Sequence, residues 1–428
     1  MRVLMFGWEF PPYISGGLGT ACLGLTKGLA SFGTEIMFVL PRLDSDEEGK
    51  HLTLMGANRV RAKVGISEIL ELQERVSVLE VLSPLRPYLT EKEYRSILEK
   101  DERVTAADIF GELQNDFAGG YGSNLMAEIV RYSLVGAHLA AHEKFDVIHA
   151  HDWMTAPAGI EAKRVSGKPL VIHAHALEFD RSGEHINQQV YEIERAGFEA
   201  ADRIVAVSHY TRDTIIKRYS IDPAKITVVH NAVSKERRIG QMRIEKPFKE
   251  KLVLFLGRIT FQKGPDYFVE AAARVLKKNP NVRFAMAGFG DMFPRMVERM
   301  AELRMADKFH FLGFVRGADV ERIYAMSDLY VMPSVSEPFG ITPLEAIVYD
   351  VPSIVSKQSG VAEILDDAVK VDFWDVDRLA DEILDILCNE ERADRLIKSG
   401  REVLKKIQWE QAAEKLLTVY RELTGGAR

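Results

Sequence analysis

Short runs of β-branched and aliphatic residues recur along the first half of the chain, at residues 2–7 (RVLMFG), 35–40 (EIMFVL), 145–149 (FDVIH), 170–173 (LVIH), 203–207 (RIVAV) and 226–230 (ITVVH). Each is long enough for a strand and too short for a helix. Most are separated by segments whose apolar residues recur at helical spacing, and this alternation predicts parallel strands joined by right-handed crossovers. The pattern restarts at residues 251–258, 282–288, 309–312, 329–333 and 352–356, with helical segments such as 266–277 between them. Residues 234–250 are charged and poor in apolar side chains, so they form the candidate linker. Two doubly wound α/β domains are therefore expected, with the carboxyl ends of their strands open toward a shared central cleft, where such sheets hold ligands. Residues 44–94 and 108–124 carry no clear period, and a helix is expected from Leu125.

Composition narrows the function classes. A chain of 428 residues, 46% of them hydrophobic, is long enough for about two or three cores at roughly 100–200 residues each. The formal net charge is −7 and the Lys and Arg residues are scattered, which argues against nucleic acid or an anionic membrane as partner. An anionic ligand must then be held by local groups. Cys22 and Cys388 lie far apart in apolar, helix-like contexts, so neither a disulfide framework nor a Cys-based metal site is expected. The N-terminus MRVLMFGWEF lacks a signal-peptide pattern, and no apolar run approaches the ~20 residues of a membrane span. The expected location is cytoplasmic.

Six stretches carry candidate chemistry. In SEPFGITPLEA, Thr342-Pro343-Leu344-Glu345 reads as a capping box with Pro at the first helical position. It predicts a helix N-terminus suited to a phosphate, with Gly340 allowing close approach and Glu345 serving as cap partner, ligand group or both. Glu337 has no capping duty that the spacing explains, which makes it the more discriminating carboxylate. In GRITFQKG, Arg258 and Lys263 follow a strand and are placed to hold a diphosphate. In PPYISGGLGT, Gly16, Gly17 and Gly19 permit close backbone approach to a ligand, but the spacing fails the dinucleotide fingerprint because Cys22 replaces the last glycine. HAHDW and HAHALEFDRSG hold two His-x-His pairs, which open a metal-dependent hydrolase reading beside a purely hydrogen-bonded one. Asp44 and Asp46 have a spacing that suits a divalent cation, in an acidic run that reads as a solvated loop.

Taken in order, these pieces resemble retaining glycosyltransferases of the GT-B fold, namely family 4 and the related bacterial and archaeal glycogen and starch synthases. EFPPYISGGLG resembles their N-terminal glycine loop, HAHDW the acceptor-side histidine motif, GRITFQKG the phosphate clamp and SEPFGITPLEA the E-x7-E signature. VSHYTRD and VVHNAV resemble the end of the first domain, SGVAEIL a ligand-proximal turn, and WEQAAEKLLTVY the helix that crosses back to that domain.

The resemblance implies two Rossmann-like domains, 1–240 on the acceptor side and 241–408 binding the nucleotide sugar, with 409–428 packing back on the first. It implies that His151 contacts the transferred sugar at its 6-hydroxyl, that Arg258 and Lys263 grip the diphosphate, that Glu345 binds the ribose and that Glu337 binds sugar hydroxyls. Backbone groups of Phe339, Gly340, Ile341, Thr342, Gly16 and Gly17 would complete the donor contacts, and Glu9, Trp153 and Tyr121 fall on the acceptor side.

No metal or other cofactor is implied; the substrates would be a nucleotide diphosphate sugar, ADP-glucose or UDP-glucose first among them, and a carbohydrate acceptor. The leading activity is transfer of a hexosyl, in the first instance glucosyl, group with extension of an α-1,4-glucan. Two features depart from the synthases: Ile14 stands where they carry a lysine, and HALEFDRSGE is closer to other family 4 members. A family 4 enzyme acting on another sugar, or on a lipid or small-molecule acceptor, is the main alternative. GT-B epimerases, phosphorylases and a non-catalytic nucleotide-sugar binder are rivals of the same architecture; the E-x7-E pairing and the full set of polar residues weigh against them.

Overall fold

In the computed structural model of the chain, the residues described are 1–11, 17–42, 51–57, 125–233, 244 and 246–425. Ile14, Gly16, the Asp44–Asp46 pair, Tyr121 and most of the 234–250 linker lie outside them. Contacts divide the chain into two compact units. One takes Met1–His173, Asn187–Ile204 and Thr418–Arg428; the other takes Ala174–Ile186 and Val205–Leu417.

The N-terminal sheet is built from β1 (Arg2–Phe6), β2 (Glu35–Leu40), β3 (Thr53–Gly56), β4 (Val147–His151), β5 (Leu170–Ala174), β6 (Arg203–Ala206) and β7 (Ile226–Val228), in the order β3-β2-β1-β4-β5-β6-β7. The C-terminal sheet is built from β8 (Lys251–Leu256), β9 (Val282–Ala287), β10 (Phe309–Gly313), β11 (Leu329–Met332), β12 (Ser353–Ser356) and β13 (Val369–Val371), in the order β10-β9-β8-β11-β12-β13. Its strand pairs are parallel, and β1, β2, β3, β4 and β5 likewise pair in parallel. Both orders reverse once, between β1 and β4 and between β8 and β11. This is the Rossmann-like winding expected, and such a reversal opens a crevice at the carboxyl ends of the two central strands.

The strands are continuous apolar runs because helices cover both faces. In β8, Val253 and Phe255 belong to one core with Phe284, Met286, Val331 and Ile354. Leu252 and Leu254 face the other way, into a core with Ala285, Ala287, Tyr330 and Met332. The C-terminal helix Trp409–Thr424 buries Ala413, Leu416, Leu417 and Tyr420 at helical spacing, and its residues from Thr418 onward belong to the first unit. Among the described residues no helix is long and apolar enough to cross a membrane. Cys22 is buried, Cys388 is exposed, and neither is in a disulfide.

The strands differ from the sequence reading in one extent and in number. β4 ends at His151 rather than His149, because the ladder to β5 continues through the His151–His173 pair. β3 and β13 are further strands, and each is only three or four residues long at or near a sheet edge, too short for a period-2 signal.

Gly264 fixes the loop that leaves β8. Its φ is +62°, and a Cβ there would lie 2.2 Å from the carbonyl oxygen of Pro333, the residue following β11. The two loops at the reversal therefore meet with no room for a side chain. Gly264→Ala is expected to lower unfolding stability by about 1–3 kcal/mol or more. Gly167→Ala, at φ +67° but with open space around it, is the control and should cost less; equal losses in denaturant unfolding would contradict the packing account.

Candidate active site

In the second unit, β8 and β11 flank the reversal of strand order, and the loops leaving their carboxyl ends carry the predicted donor residues. The β8 loop turns through the short 3-10 helix Phe261–Lys263, and the amide of Val335 in the β11 loop donates to the Gln262 carbonyl at 2.9 Å. Arg258 is exposed, and its guanidinium reaches Gln262 Oε1 at 3.3 Å. Lys263 Nζ donates to Glu337 Oε2 at 2.5 Å, and Ser334 Oγ donates to the same oxygen at 3.1 Å. The Glu337 side chain is only 8% exposed and that of Lys263 21%. Removing the cation from a pair so enclosed would leave an uncompensated buried charge.

Glu337 therefore has a local structural role, which corrects the reading from spacing. Its amide also donates to Gln358 O and its carbonyl accepts from the Gly360 amide, each at 2.9 Å. The cation that pairs with it lies 74 residues earlier in the chain.

The capping box is also corrected. The helix Thr342–Val348 begins at Thr342 itself, with Pro343 in its first turn and no side-chain cap. Tyr330 supplies the reason: its hydroxyl occupies Thr342 Oγ1 at 2.7 Å. Glu345 is buried, and one of its carboxylate oxygens accepts from the Tyr324 hydroxyl at 3.2 Å. Gly340 adopts φ +95° with Met332 and Glu337 side chains packed where a Cβ would be, so its conformation requires glycine. Phe339 points its ring into the core, and its carbonyl accepts from the Val361 amide. Among the described residues, no acceptor takes the amides of Phe339, Gly340, Ile341 or Thr342.

Electrostatics tie the two glutamates together. Burial pushes the Tyr330 phenol well above its ordinary range; the Thr342 bond works against this, and the charges of Glu337 and Glu345 add to it. The two carboxylates thus share the neighbourhood of one neutral phenol.

Sequence reasoning missed three groups beside Glu337. Asp180 is buried and accepts from Ser336 Oγ at 2.5 Å and from the Leu177 amide at 2.7 Å. Burial raises its carboxyl above the ordinary value, hydrogen bonds from Ser336 and Leu177 and the charge of Arg181 oppose this, and Glu337 adds to it. Tyr210 completes the chain, its hydroxyl 2.9 Å from Ser336 Oγ. The sequence signal was limited to position: Asp180, Ser336 and Tyr210 each stand in a segment already singled out. In the predicted ligand-proximal turn, Glu363 caps the helix His209–Tyr219 by accepting from the amides of His209 (2.9 Å) and Tyr210 (2.6 Å), and it also meets His230 Nε2 at 3.1 Å. Burial pushes its carboxyl up, but these hydrogen bonds outweigh burial and leave it below the ordinary range.

In the first unit, β1 and β4 flank the reversal. His149 and His151 lie two apart on β4 and project to one face, and His173 pairs with His151 across the ladder. All three are fully buried or nearly so. The His151 ring stacks on His149 at 4.4 Å between centroids and lies 5.4 Å from the His173 ring. His149 Nε2 is 3.2 Å from His173 Nδ1, and His149 Nδ1 is hydrogen-bonded to the Tyr420 hydroxyl. One ring nitrogen from each of the three lies within 4.8 Å of the others. A metal bound by the trio would have to displace the contacts His149 already makes.

The turn after β4 is held tightly. Asp152 takes φ +61°, uncommon for a residue with a side chain, and its amide donates to the His173 carbonyl at 2.9 Å. Thr155 Oγ1 donates to the His151 carbonyl at 2.8 Å. Trp153 is buried in this turn, and Glu9, after β1, is buried as well. Burial raises the Cys22 thiol well above its ordinary value, and the charges of Asp152 and then Glu9 add to it, so these groups share one neighbourhood. Gly17 is exposed at the start of the helix Gly17–Ser31, and among the described residues no atom lies within 4 Å of where a Cβ would stand.

Comparison with known proteins agrees with this architecture. The family description Glycosyltransferase Family 4 matches residues 121–237, and Glycosyl transferases group 1 matches residues 239–403. An uncharacterized glycosyltransferase of Methanocaldococcus jannaschii, MJ1607, is 26% identical, with 98% of each chain covered. A glycogen synthase of Mycobacterium tuberculosis is 24% identical over all of this chain and 96% of its own. The uncharacterized glycosyltransferase YqgM of Bacillus subtilis is 30% identical over 63% of this chain and 76% of its own. Among solved structures, sucrose-phosphate synthase from Thermosynechococcus elongatus superposes with a TM-score of 0.74 at 17% identity, each chain covered completely. With two parallel sheets of this winding and matches that run along nearly its whole length, the chain belongs to the family 4 (group 1) glycosyltransferases of the GT-B fold.

Proposed function

We propose that the protein transfers a glucosyl group from ADP-glucose or UDP-glucose to a carbohydrate acceptor with retention at the anomeric carbon, extending an α-1,4-glucan. The observation that carries this reading is the Lys263–Glu337 pair at the reversal of the C-terminal sheet, with the exposed Arg258 on the same loop as Lys263. One buried carboxylate and two cations suit a neutral sugar attached to a diphosphate. Full-length similarity to a glycogen synthase supports the glucan acceptor.

In this reading the bond between the anomeric carbon and the diphosphate oxygen breaks while an acceptor hydroxyl forms its bond on the same face. The acceptor proton passes to the departing phosphate oxygen, and a nucleoside diphosphate leaves. The main charge to stabilise is on that diphosphate, and Arg258 and Lys263 supply positive potential where it develops. Lys263 would turn part of its charge from Glu337 to phosphate, leaving Glu337 to accept from sugar hydroxyls. Glu345, held by Tyr324, is assigned to the ribose, and His151 to the sugar 6-hydroxyl; Glu9 and Trp153 are assigned to the acceptor side. No metal takes part in this scheme.

A second reading keeps the transfer and changes the acceptor to another sugar, a lipid or a small molecule. It is favoured by Ile14, which stands where the synthases carry a cation. Nucleotide release from ADP-, UDP- and GDP-sugars, with and without maltooligosaccharide, separates the two: stimulation by maltooligosaccharide supports the glucan reading, and its absence with an active donor supports the other.

Two further outcomes are expected. Lys263→Ala should lower kcat by about 10²–10³-fold and also cost about 1–3 kcal/mol of stability, because it strands a buried carboxylate. Adding Glu337→Gln should recover most of the stability and none of the rate; recovery of both would assign the pair a purely structural role. His151→Ala should reduce transfer by about 10²-fold or more, and EDTA should leave the wild-type rate unchanged. Loss of activity in EDTA with recovery on adding zinc would favour a metal-dependent reaction at the histidines.

A further inference from the structure

We infer that Tyr420, acting through His149, is a positioning residue for His151. Its hydroxyl couples the tautomers of His149 and His173, and so holds the stacked His151 ring in the orientation that transfer requires. The inference rests on the role proposed for His151 above.

Tyr420 stands near the end of the C-terminal helix, 271 residues from His149, and is fully buried. Its ring meets the His149 ring edge-on, with centroids 5.8 Å apart at 83°. Burial raises the phenol well above its ordinary pKa, so the hydroxyl keeps its proton. Both nitrogens of His149 are then engaged, Nδ1 by this hydroxyl and Nε2 by His173 Nδ1 at 3.2 Å.

A neutral imidazole has one N–H and one acceptor nitrogen, so the contacts form a chain with only two consistent settings. If the phenol donates to His149 Nδ1, His149 carries its proton on Nε2 and donates to His173 Nδ1, which leaves the His173 proton on Nε2. If His149 Nδ1–H donates to the phenol oxygen, its Nε2 accepts, and the His173 proton must be on Nδ1. One hydroxyl thus couples the states of two rings, and His151 lies against both, at 21° to His149 and 27° to His173. A tyrosine whose hydroxyl only satisfied a buried donor would affect stability alone. A positioning tyrosine must also affect the chemical step and the histidine tautomers.

Tyr420→Phe keeps the ring and removes the hydroxyl. We expect kcat to fall about 10- to 100-fold with KM for the nucleotide sugar changed less than about twofold. In 15N spectra of the histidines, the shifts of His149 and His173 should move toward tautomer averaging. His149→Asn, which retains a group for the phenol but not the reach to His173, should lower kcat by a similar factor, and it carries the test if Tyr420→Phe does not fold. The inference fails if either folded variant retains kcat within twofold of wild type, or if the histidine shifts are unchanged in Tyr420→Phe, while His151→Ala is crippled. Full activity in His151→Ala would instead overturn the role proposed for His151, and this inference with it.

Discussion

Burial of a parallel sheet on both faces is the constraint from which the rest of the architecture follows. Val253 and Phe255 of β8 face one core, Leu252 and Leu254 face the other, and neither face has room for a ligand. Polar chemistry is left with the strand ends. Among these, the point where strand order reverses is where neighbouring crossovers diverge and open space. In both sheets the candidate site residues cluster there: His151 at the end of β4 with Asp152 and Trp153 after it in one, Arg258, Lys263 and Glu337 after β8 and β11 in the other.

Within the second unit, the proposed donor site holds its buried carboxylate and one of its cations as a pair. The Glu337 carboxylate is enclosed, and Lys263 is its cationic partner. A pair of this kind is weak evidence for stability, since desolvation offsets most of the attraction. In the proposed reading, a diphosphate would share the ammonium while sugar hydroxyls take over the carboxylate. Asp180, Ser336 and Tyr210 form a hydrogen-bonded wall beside Glu337 that keeps this neighbourhood polar and oriented.

Much of the fold was legible because long apolar runs with helical segments between them have few other readings. The exceptions have physical causes. β3 and β13 are too short to show a period, and β4 ran past its expected end because two buried histidines continue the ladder. At the site, residue types were legible but their partners were not. The capping box at Thr342 fails because Tyr330, twelve residues earlier, takes the hydroxyl. Glu337 had no visible structural role because Lys263 lies 74 residues away, and Asp180 and Tyr420 were hidden by separations of 156 and 271 residues. Local spacing reports what one helix or turn can do with its own side chains. It carries no information on which distant group tertiary structure brings to meet them.

The central claim is that the second unit holds a nucleotide diphosphate at the reversal of its sheet. A structure of the protein with ADP or UDP and glucose tests it most directly. The account predicts diphosphate oxygens within hydrogen-bond distance of both Arg258 and Lys263, with the Lys263–Glu337 contact lengthened or shared and Glu345 on the ribose hydroxyls. A nucleotide bound at another place in the unit, with the Lys263–Glu337 contact unchanged, would contradict it.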